Sequence, residues 1–530
     1  MSFTLPTALP AWRQLSQLAA DGQPHLRELL RADPERRQRM SFGVAGLTLD
    51  ASLQRITPAV SLALLALAEQ SELAQQRDAW FSGAAVNRSE GRAALHVALR
   101  GDPTRPGPWG ASISAQVQRE LQRVCNFAEQ LRAMAVRGHS GAAITDVVNL
   151  GVGGSDLGPR MATEALAHLA HPGLRVHYVS NPDAWALWSV LRGLDASRTL
   201  FVVSSKSFTT PETLTNAASA QRWLLDHGCP AQALADHLVA VTAQPALAAQ
   251  HGYRADRTFL LWDWVGGRYS IWSAIGLPLA AAIGAAHFHD FLAGARAIDE
   301  HFCHAPLARN LPVLLALHGI WNRNFLQLPT QLFAPYPYRL LRWTPFVQQL
   351  DMESNGKRCH SDGRPVALCT GPIVWGDLGI QAQHAYFQLI HQGQHTVPVD
   401  FIGVLSEDTP LPLAPSHHAL INRNLRAQAS AMAEGRSPGT TQALLEQSGL
   451  TPAQAQAMAA ERSFEGNIPS HSIWLDRLDP ACLGALIALY EHKVFCQAAI
   501  WRINPFDQWG VELGKSIAQA MESEPVLLPS

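Results

Sequence analysis

The sequence predicts an α/β protein with two tandem parallel-sheet domains, a helical N-terminal segment and a helical C-terminal tail. Three observations carry this. Short apolar runs rich in Val, Leu and Phe alternate with helical stretches, a pattern that implies parallel strands covered on both faces. The alternation occurs twice, on either side of a helical bridge at Leu311–Leu326. The chain of 530 residues is long enough for two large domains, and 47% of it is hydrophobic, enough to bury substantial cores.

The N-terminal segment, residues 1–110, reads as helical. Ala11–Arg31 and Pro58–Leu73 place apolar residues at mixed three- and four-residue spacing. Pro58 suits a first helical turn. The run Gly101-Asp-Pro-Thr-Arg-Pro-Gly-Pro108 interrupts the pattern and marks a boundary. The first α/β domain is expected over 111–290. A helix near Ala115–Arg137 leads into apolar runs at Asp146–Leu150, Arg175–Ser180, Thr199–Ser204, Leu238–Thr242 and Thr258–Trp262. Gly158–Leu169 and Glu212–Leu225 read as helices between them. The stretch Ile271–Ala286 is apolar but short for a membrane span and carries Pro278, so it reads as a buried helix.

The second domain is expected over 291–505. Its apolar runs are Gln331–Ala334, Ile373–Trp375, Val397–Val404 and Ser472–Leu475. Residues 506–530 then form the helical tail.

Charge and cysteine content exclude several classes. Only 16% of residues are charged and the formal net charge is −2. No Lys/Arg run is long enough for a nucleic-acid patch. A small anionic ligand needs only a local pocket and stays open. The seven cysteines are odd in number and form no CxxC, which suits reduced thiols in a cytoplasmic protein. No basic and apolar leader opens the chain, so no secretory signal is expected. No His/Cys spacing supports a metal, and none is expected.

Ligands of open parallel sheets sit beyond the carboxyl ends of the strands. Gly151-Val-Gly-Gly-Ser-Asp-Leu-Gly-Pro159 follows one strand and opens a helix. Its glycines allow close approach of an anion to backbone N–H groups. Asp156 stands where the dinucleotide fingerprint needs glycine, which weakens a nicotinamide or flavin reading. A bare strand–helix turn explains the glycines equally well; Ser155 favours an anion. Ser204-Ser-Lys-Ser-Phe-Thr-Thr-Pro-Glu-Thr213 brings six hydroxyls and one ammonium to the next helix start. Thr209 or Thr210 can cap that helix, and Glu212 would complete a capping box with Thr209. Capping leaves Ser205, Lys206 and Ser207 unexplained, and these suit a phosphate monoester. Gly510-Val-Glu-Leu-Gly-Lys-Ser516 has three residues between its glycines where a P-loop has four, and no strand precedes it.

Arg268, in Gly266-Gly-Arg-Tyr-Ser270, follows a strand and can stabilise developing negative charge. From the local pattern a structural Arg is as good a reading. Glu353 lies in the last helical turn before the Asn355-Gly356 stop, with Gln349 on the same face, a placement for a general base or for a solvated Glu. His384 opens a helix after Ile373–Trp375 and shares a face with His391; a lone His among 22 says little.

Together Gly151–Pro159, Ser205–Thr213, Gly266–Pro278, Gln349–Lys357, Gln383–Gly393 and Gly510–Lys515 resemble the phosphoglucose isomerase family, in its order, from about residue 140 to 520. The resemblance implies two sugar-isomerase (SIS) domains and a homodimer with shared active sites. It also implies cofactor-free interconversion of glucose 6-phosphate and fructose 6-phosphate. By that resemblance Ser205, Lys206, Ser207 and Thr210 hold the phosphate, with Gly154 and Ser155 lining the site. Glu353 matches the base, Arg268 faces the enediolate, and His384 and Lys515 open the sugar ring. Glu212 orients that histidine, and Gln349 and Gln508 contact substrate. Two departures stand out: Ile380-Gln-Ala382 where members usually read Thr-Asn-Gly, and Ser207 where Thr is common.

Overall fold

The computed structural model describes residues 4–407 and 409–521. Among the described residues eleven strands form two sheets: β1 Ser41–Val44, β2 Leu47–Asp50, β3 Asp146–Leu150, β4 Arg175–Val179, β5 Thr199–Ser204, β6 Leu238–Thr242, β7 Thr258–Leu260, β8 Thr330–Pro335, β9 Ile373–Gly376, β10 Val399–Ser406 and β11 Ser470–Arg477. The first sheet runs β4-β3-β5-β6-β7, all parallel. The second runs β1-β2-β11-β10-β8-β9, parallel from β11 to β9. The central strands β3, β5 and β6 are buried along their whole length. This burial on both faces explains why they are mostly apolar without alternation.

Chain order and spatial order disagree at one place in the first sheet. From β3 the chain moves outward to β4, then returns to the other side of β3 for β5. The crevice at such a switch point opens beyond the carboxyl ends of β3 and β5. The segments after those strands are Gly151–Pro159 and Ser205–Thr213, the two predicted anion loops.

The N-terminal segment is not wholly helical. Strands β1 and β2 form a hairpin whose Ala45-Gly46 turn has positive φ at both residues (51° and 74°), and β2 pairs antiparallel with β11. Two four-residue strands are too short to register against the helical stretches around them. Their partner β11 lies more than four hundred residues away. The helix expected over Ala11–Arg31 is also two helices, Pro10–Ala20 and Leu26–Ala32. Gly22, at φ 83°, ends the first, and His25 caps the second in a capping box with Glu28.

The apolar stretch from Ile271 is buried as expected, but it is divided. Short 3-10 turns at Gly267–Trp272 and Ala274–Gly276 precede the helix Leu277–Ile283. In the tail, only Glu512–Met521 is helical after a 3-10 turn at Trp509–Val511, and residues 522–530 of the expected tail lie outside the described residues.

The two sheets share one core through the helix Pro480–Trp501, nearly all of whose residues are buried. It packs on Ala285–His304 without side chains between the backbones at two points. A Cβ on Gly294 would stand 1.8 Å from the Ala481 carbonyl oxygen, and one on Gly484 would stand 2.0 Å from that of Phe291. Charge is buried in the same contact. Arg100 donates to both Asp299 oxygens (2.8 and 2.7 Å) and to Glu491 (2.5 Å), while Trp272 Nε1 donates to Glu491 (2.8 Å). Asp299 and Glu491 come from the two crossing helices, so the N-terminal segment is locked onto both.

The close crossing makes a direct prediction. Gly294→Ala forces the helices apart and is expected to lower stability by at least about 1–3 kcal/mol. Gly439→Ala, where a Cβ meets nothing within 4 Å, should be neutral or gain up to about 1 kcal/mol. Urea midpoints at constant slope would test the pair; equal midpoints would mean the crossing tolerates a methyl group.

Candidate active site

The first anion loop turns through a 3-10 segment, Gly153–Ser155, into the helix from Leu157. Asn149 Nδ2 donates to the Ser155 carbonyl at 2.9 Å, and Asn149 Oδ1 accepts from Ser204 Oγ at 2.8 Å, tying the ends of β3 and β5 together. Gly154 presses against another loop: a Cβ there would lie 2.0 Å from the Gly267 carbonyl oxygen. Glycine at 154 is therefore a packing requirement. It sets the Ser155 turn directly beside Arg268.

In the second loop Ser205 Oγ meets Thr210 Oγ1 at 3.1 Å and accepts from the Phe208 N–H at 3.1 Å. Thr209 Oγ1 donates to Ser207 Oγ at 2.8 Å. The expected capping box is not made. Thr210 is the N-cap, makes no side-chain cap, and Glu212 points to solvent. Thr210 bonds Ser205 instead, so the loop hydroxyls face each other around the helix start.

Lys206 reaches back and donates to the carbonyls of Asp263 (2.7 Å) and Val265 (2.9 Å). Burial, helped by Arg92, pushes its ammonium down to about 8, against the pull of Asp263 and Glu90. A bound dianion would favour the charged form.

The catalytic carboxylate candidate sits across the cavity. The helix Trp343–Gln348 widens into a π-helical turn, Gln349–Glu353, before ending at Asn355. Such widened turns concentrate at functional sites. Asp351 is buried in this turn on Lys493 Nζ at 2.5 Å, which anchors it from beneath. Glu353 Oε2 is buried and accepts no hydrogen bond. Its neighbour is Arg268 Nη1, at 3.5 Å. Lys357 Nζ holds the Glu353 carbonyl (3.0 Å) and Asp507 Oδ1 (2.9 Å), fixing the helix end.

Arg268 is 3% exposed and spans the segments that meet here. Nε donates to Ser354 Oγ at 2.6 Å, Nη1 to Gln508 Oε1 at 3.2 Å, and Nη2 to the carbonyls of Pro505 and Asp507.

A cavity of about 380 Å³ brings together Gly154, Ser155, Ser205, Lys206, Ser207, Thr210, Arg268, Gln349, Glu353, Gln508 and Lys515. It also includes Arg92, Gln244 and Asp263, which the sequence reading missed. Arg92 follows the irregular segment near Glu90, with no motif to mark it. Four cationic side chains line the wall against two carboxylates, so the cavity favours an anion. Among the described residues no histidine or cysteine lines it. Lys515 stands on the exposed final helix, 3.1 Å from Glu512.

Two predicted residues lie outside this wall. Glu212 is exposed beside the second loop, and His384 is exposed in the last turn of the helix Gly379–Ala385. His384 does not share a helix face with His391, because the helix breaks at Tyr386 (φ −145°) and a new one begins at Phe387. A second cavity, of about 640 Å³, adjoins the first, and Glu353 and Gln508 line both.

An anion grip at a sheet's switch point, facing a buried carboxylate held beside a guanidinium, defines an enzyme acting on a small anionic molecule. Comparison with known proteins narrows this. A family model described as phosphoglucose isomerase matches residues 50–527. The chain is 47% identical over 525 residues to a glucose-6-phosphate isomerase of Cupriavidus metallidurans, covering 98% of this chain and 95% of the relative. It is 45% identical over 520 residues to glucose-6-phosphate isomerase 1 of Chromobacterium violaceum, covering 98% and 94%. The crystal structure of a glucose-6-phosphate isomerase from Chlamydia trachomatis superposes with a TM-score of 0.87 at 34% identity, covering 99% and 98%. The chain belongs to the phosphoglucose isomerase family.

The Lys206 environment predicts a pH limb. The ammonium is charged below about 8 and loses its proton above. Affinity for inorganic phosphate, competing at the site, should therefore fall above pH 8 by up to about tenfold per unit. In Lys206→Arg that limb should vanish, since a guanidinium stays charged. A wild-type profile flat from pH 7 to 9.5 would remove Lys206 from the anion grip.

Proposed function

We propose that the protein interconverts glucose 6-phosphate and fructose 6-phosphate in the cavity between residues 111–290 and 291–505. The observation that carries this is Glu353: a buried, unpartnered carboxylate oxygen, 3.5 Å from a guanidinium, across one cavity from a lysine-and-hydroxyl loop. Aldose–ketose exchange needs one base, a stabilised enediolate and a grip on the remote phosphate. It moves a proton and an electron pair within one carbon chain, so no external oxidant enters.

Ser205, Lys206, Ser207 and Thr210 take the phosphate, with the Gly154–Ser155 turn on the flank. Binding energy from this end holds C1 and C2 against Glu353 and is converted into rate. Glu353 removes the C2 proton of the open-chain aldose and returns it to C1. Arg268 is already held rigid by its neighbours and faces the oxygens on which enediolate charge grows, so little reorganisation accompanies the step. Gln349 and Gln508 donate to substrate hydroxyls.

Ring opening requires a further acid and base. Lys515 is at the cavity mouth; His384 is on the outside of its own chain. Both facts fit a homodimer in which His384 enters the partner's site, with Glu212 orienting it. The second cavity beside Glu353 gives such a segment a way in. No helix of the described residues is long and apolar enough to cross a membrane, and all seven cysteines are free, which suits cytoplasmic glycolysis and gluconeogenesis.

A coupled assay for fructose 6-phosphate conversion tests the reading. Glu353→Gln should lose at least about 10²–10⁴ in turnover yet keep its affinity for a sugar-phosphate inhibitor. Near-normal turnover would take Glu353 out of the mechanism.

The shared site has its own test. Glu353→Gln and His384→Ala chains, unfolded and refolded together, should form about half mixed dimers, each with one intact site. Roughly a quarter of wild-type activity should return, against nearly none in either parent. If mixed dimers form and activity stays at the parental level, His384 does not serve the partner.

A further inference from the structure

Three metal-type ligands converge at the opposite end of the first sheet from the catalytic cavity. His139 lies on the turn closed by the Arg137–Ala143 bridge, Cys229 precedes the 3-10 turn Ala231–His237, and His237 ends it. One donor atom from each lies within 4.8 Å of the others, the one such group of three among the described residues. Cys229 and His237 are buried, and His139 is half-buried. The sequence concealed the group, because β3, β4 and β5 lie between His139 and the other two, and the Cys229–His237 spacing matches no common ligand pattern.

The position is remote from the chemistry. Thr199, which opens β5, contacts His237; Ser204, at the other end of β5, leads into Ser205 and Lys206. A strand of that length spans about 17–20 Å.

The protonation state is set by a neighbour. His237 Nδ1 stands 2.6 Å from the Thr199 carbonyl oxygen, which can only accept, so Nδ1 carries the proton and Nε2 is bare. A ring nitrogen clamped on a backbone carbonyl is the outer contact that orients metal-binding histidines. The bare Nε2 faces His139 Nδ1 at 2.9 Å and accepts from the His139 N–H at 2.9 Å. A shared proton accounts for the two histidines alone. Cys229 packs in the core beside them, its thiol donating to the Pro230 carbonyl at 3.6 Å, and its sulfur lies close enough to join the two ring nitrogens as a third donor. Gly138 holds the turn in place: a Cβ there would meet the Ser197 carbonyl oxygen at 2.3 Å and His237 Cε1 at 2.6 Å.

The geometry points to a three-ligand site, His139–Cys229–His237, for a borderline-soft divalent cation of the Zn²⁺ type. Two imidazoles and a thiolate suit that class, while the hard cations Mg²⁺ and Ca²⁺ want oxygen donors. Bonds of about 2.0–2.3 Å set tetrahedral donors about 3.3–3.6 Å apart, so the Cys229 sulfur and the His139 turn must close on each other while the two ring nitrogens, now 2.9 Å apart, part slightly. His139, on a surface turn, supplies that movement. On binding, Cys229 releases its thiol proton to solvent and both imidazoles bind neutral. The ion would brace the 137–143 turn, the start of β5 and the segment before β6, and it would take no part in isomerisation.

The test uses the full-length, metal-stripped protein titrated with Co²⁺. The expected result is a near-ultraviolet thiolate-to-cobalt charge-transfer band with tetrahedral visible bands, both displaced by Zn²⁺. Cys229→Ser should lose the charge-transfer band. His139→Asn should weaken Zn²⁺ binding by more than the roughly 10–100-fold seen for a lost outer contact. Zn²⁺ should raise the melting temperature of the wild type and of neither variant, and all three should isomerise at the same rate. No cysteine-dependent band, or unchanged Zn²⁺ affinity in His139→Asn, would overturn the site and leave a proton-sharing histidine pair. If Cys229→Ser fails to fold, His139→Asn, altered at the surface, decides alone.

Discussion

The site is built around one buried cation. Arg268 sits at the end of the first sheet, yet its partners come from elsewhere: Ser354 and Glu353 from the widened helix, and Pro505, Asp507 and Gln508 from the segment leading to the tail. An unpaired buried charge would cost several kcal/mol, so the guanidinium is tolerated only where those segments close around it. The converse holds as well. Three stretches of chain, remote in sequence, are registered against each other because one planar group with five donors must be satisfied.

This registration divides the labour within the cavity. The first sheet contributes the anion grip, through loops that its strand order places side by side. The second unit and the tail contribute the carboxylate and the amides. Neither half is a site alone. A phosphate at the proposed Lys206 grip would matter to Glu353 only because Gly154 rests on the Gly267 backbone, and Gly267 precedes Arg268. The distance from grip to base is thus set by backbone contact, which is stiffer than any side-chain bridge.

Elements whose signal is local were legible in the sequence. The strands β3, β5 and β6 have the bounds their apolar runs indicated, because a strand buried on both faces is mostly apolar and admits only polar residues that find a partner, such as Asn149 and Ser204. The loops after β3 and β5 were legible for the same reason, as the first polar residues past a buried strand. The hairpin at residues 41–50 was not, since its identity as sheet depends on β11. The capping box of Glu212 with Thr209 was a sound local inference that failed because the helix begins one residue later, with Thr210 as N-cap, and Thr209 donates to Ser207 instead. The break at Tyr386 separates two histidines that a straight helix would have aligned.

What the sequence determined by itself was therefore the α/β class, the order of its strands along the chain, and the chemical inventory of the loops. These follow from periodicity and residue type, which act over a few neighbours. The family was legible too, because its motifs keep their order along the chain. Only the tertiary structure decided which candidates share a wall. It placed Arg268 against Glu353, added Arg92 and Asp263, and put His384 on the outside of its own chain. It also gathered His139, Cys229 and His237 into one cluster. Each of these depends on contacts between segments far apart in sequence, and such contacts are set by strand order and helix crossing, which no local pattern encodes.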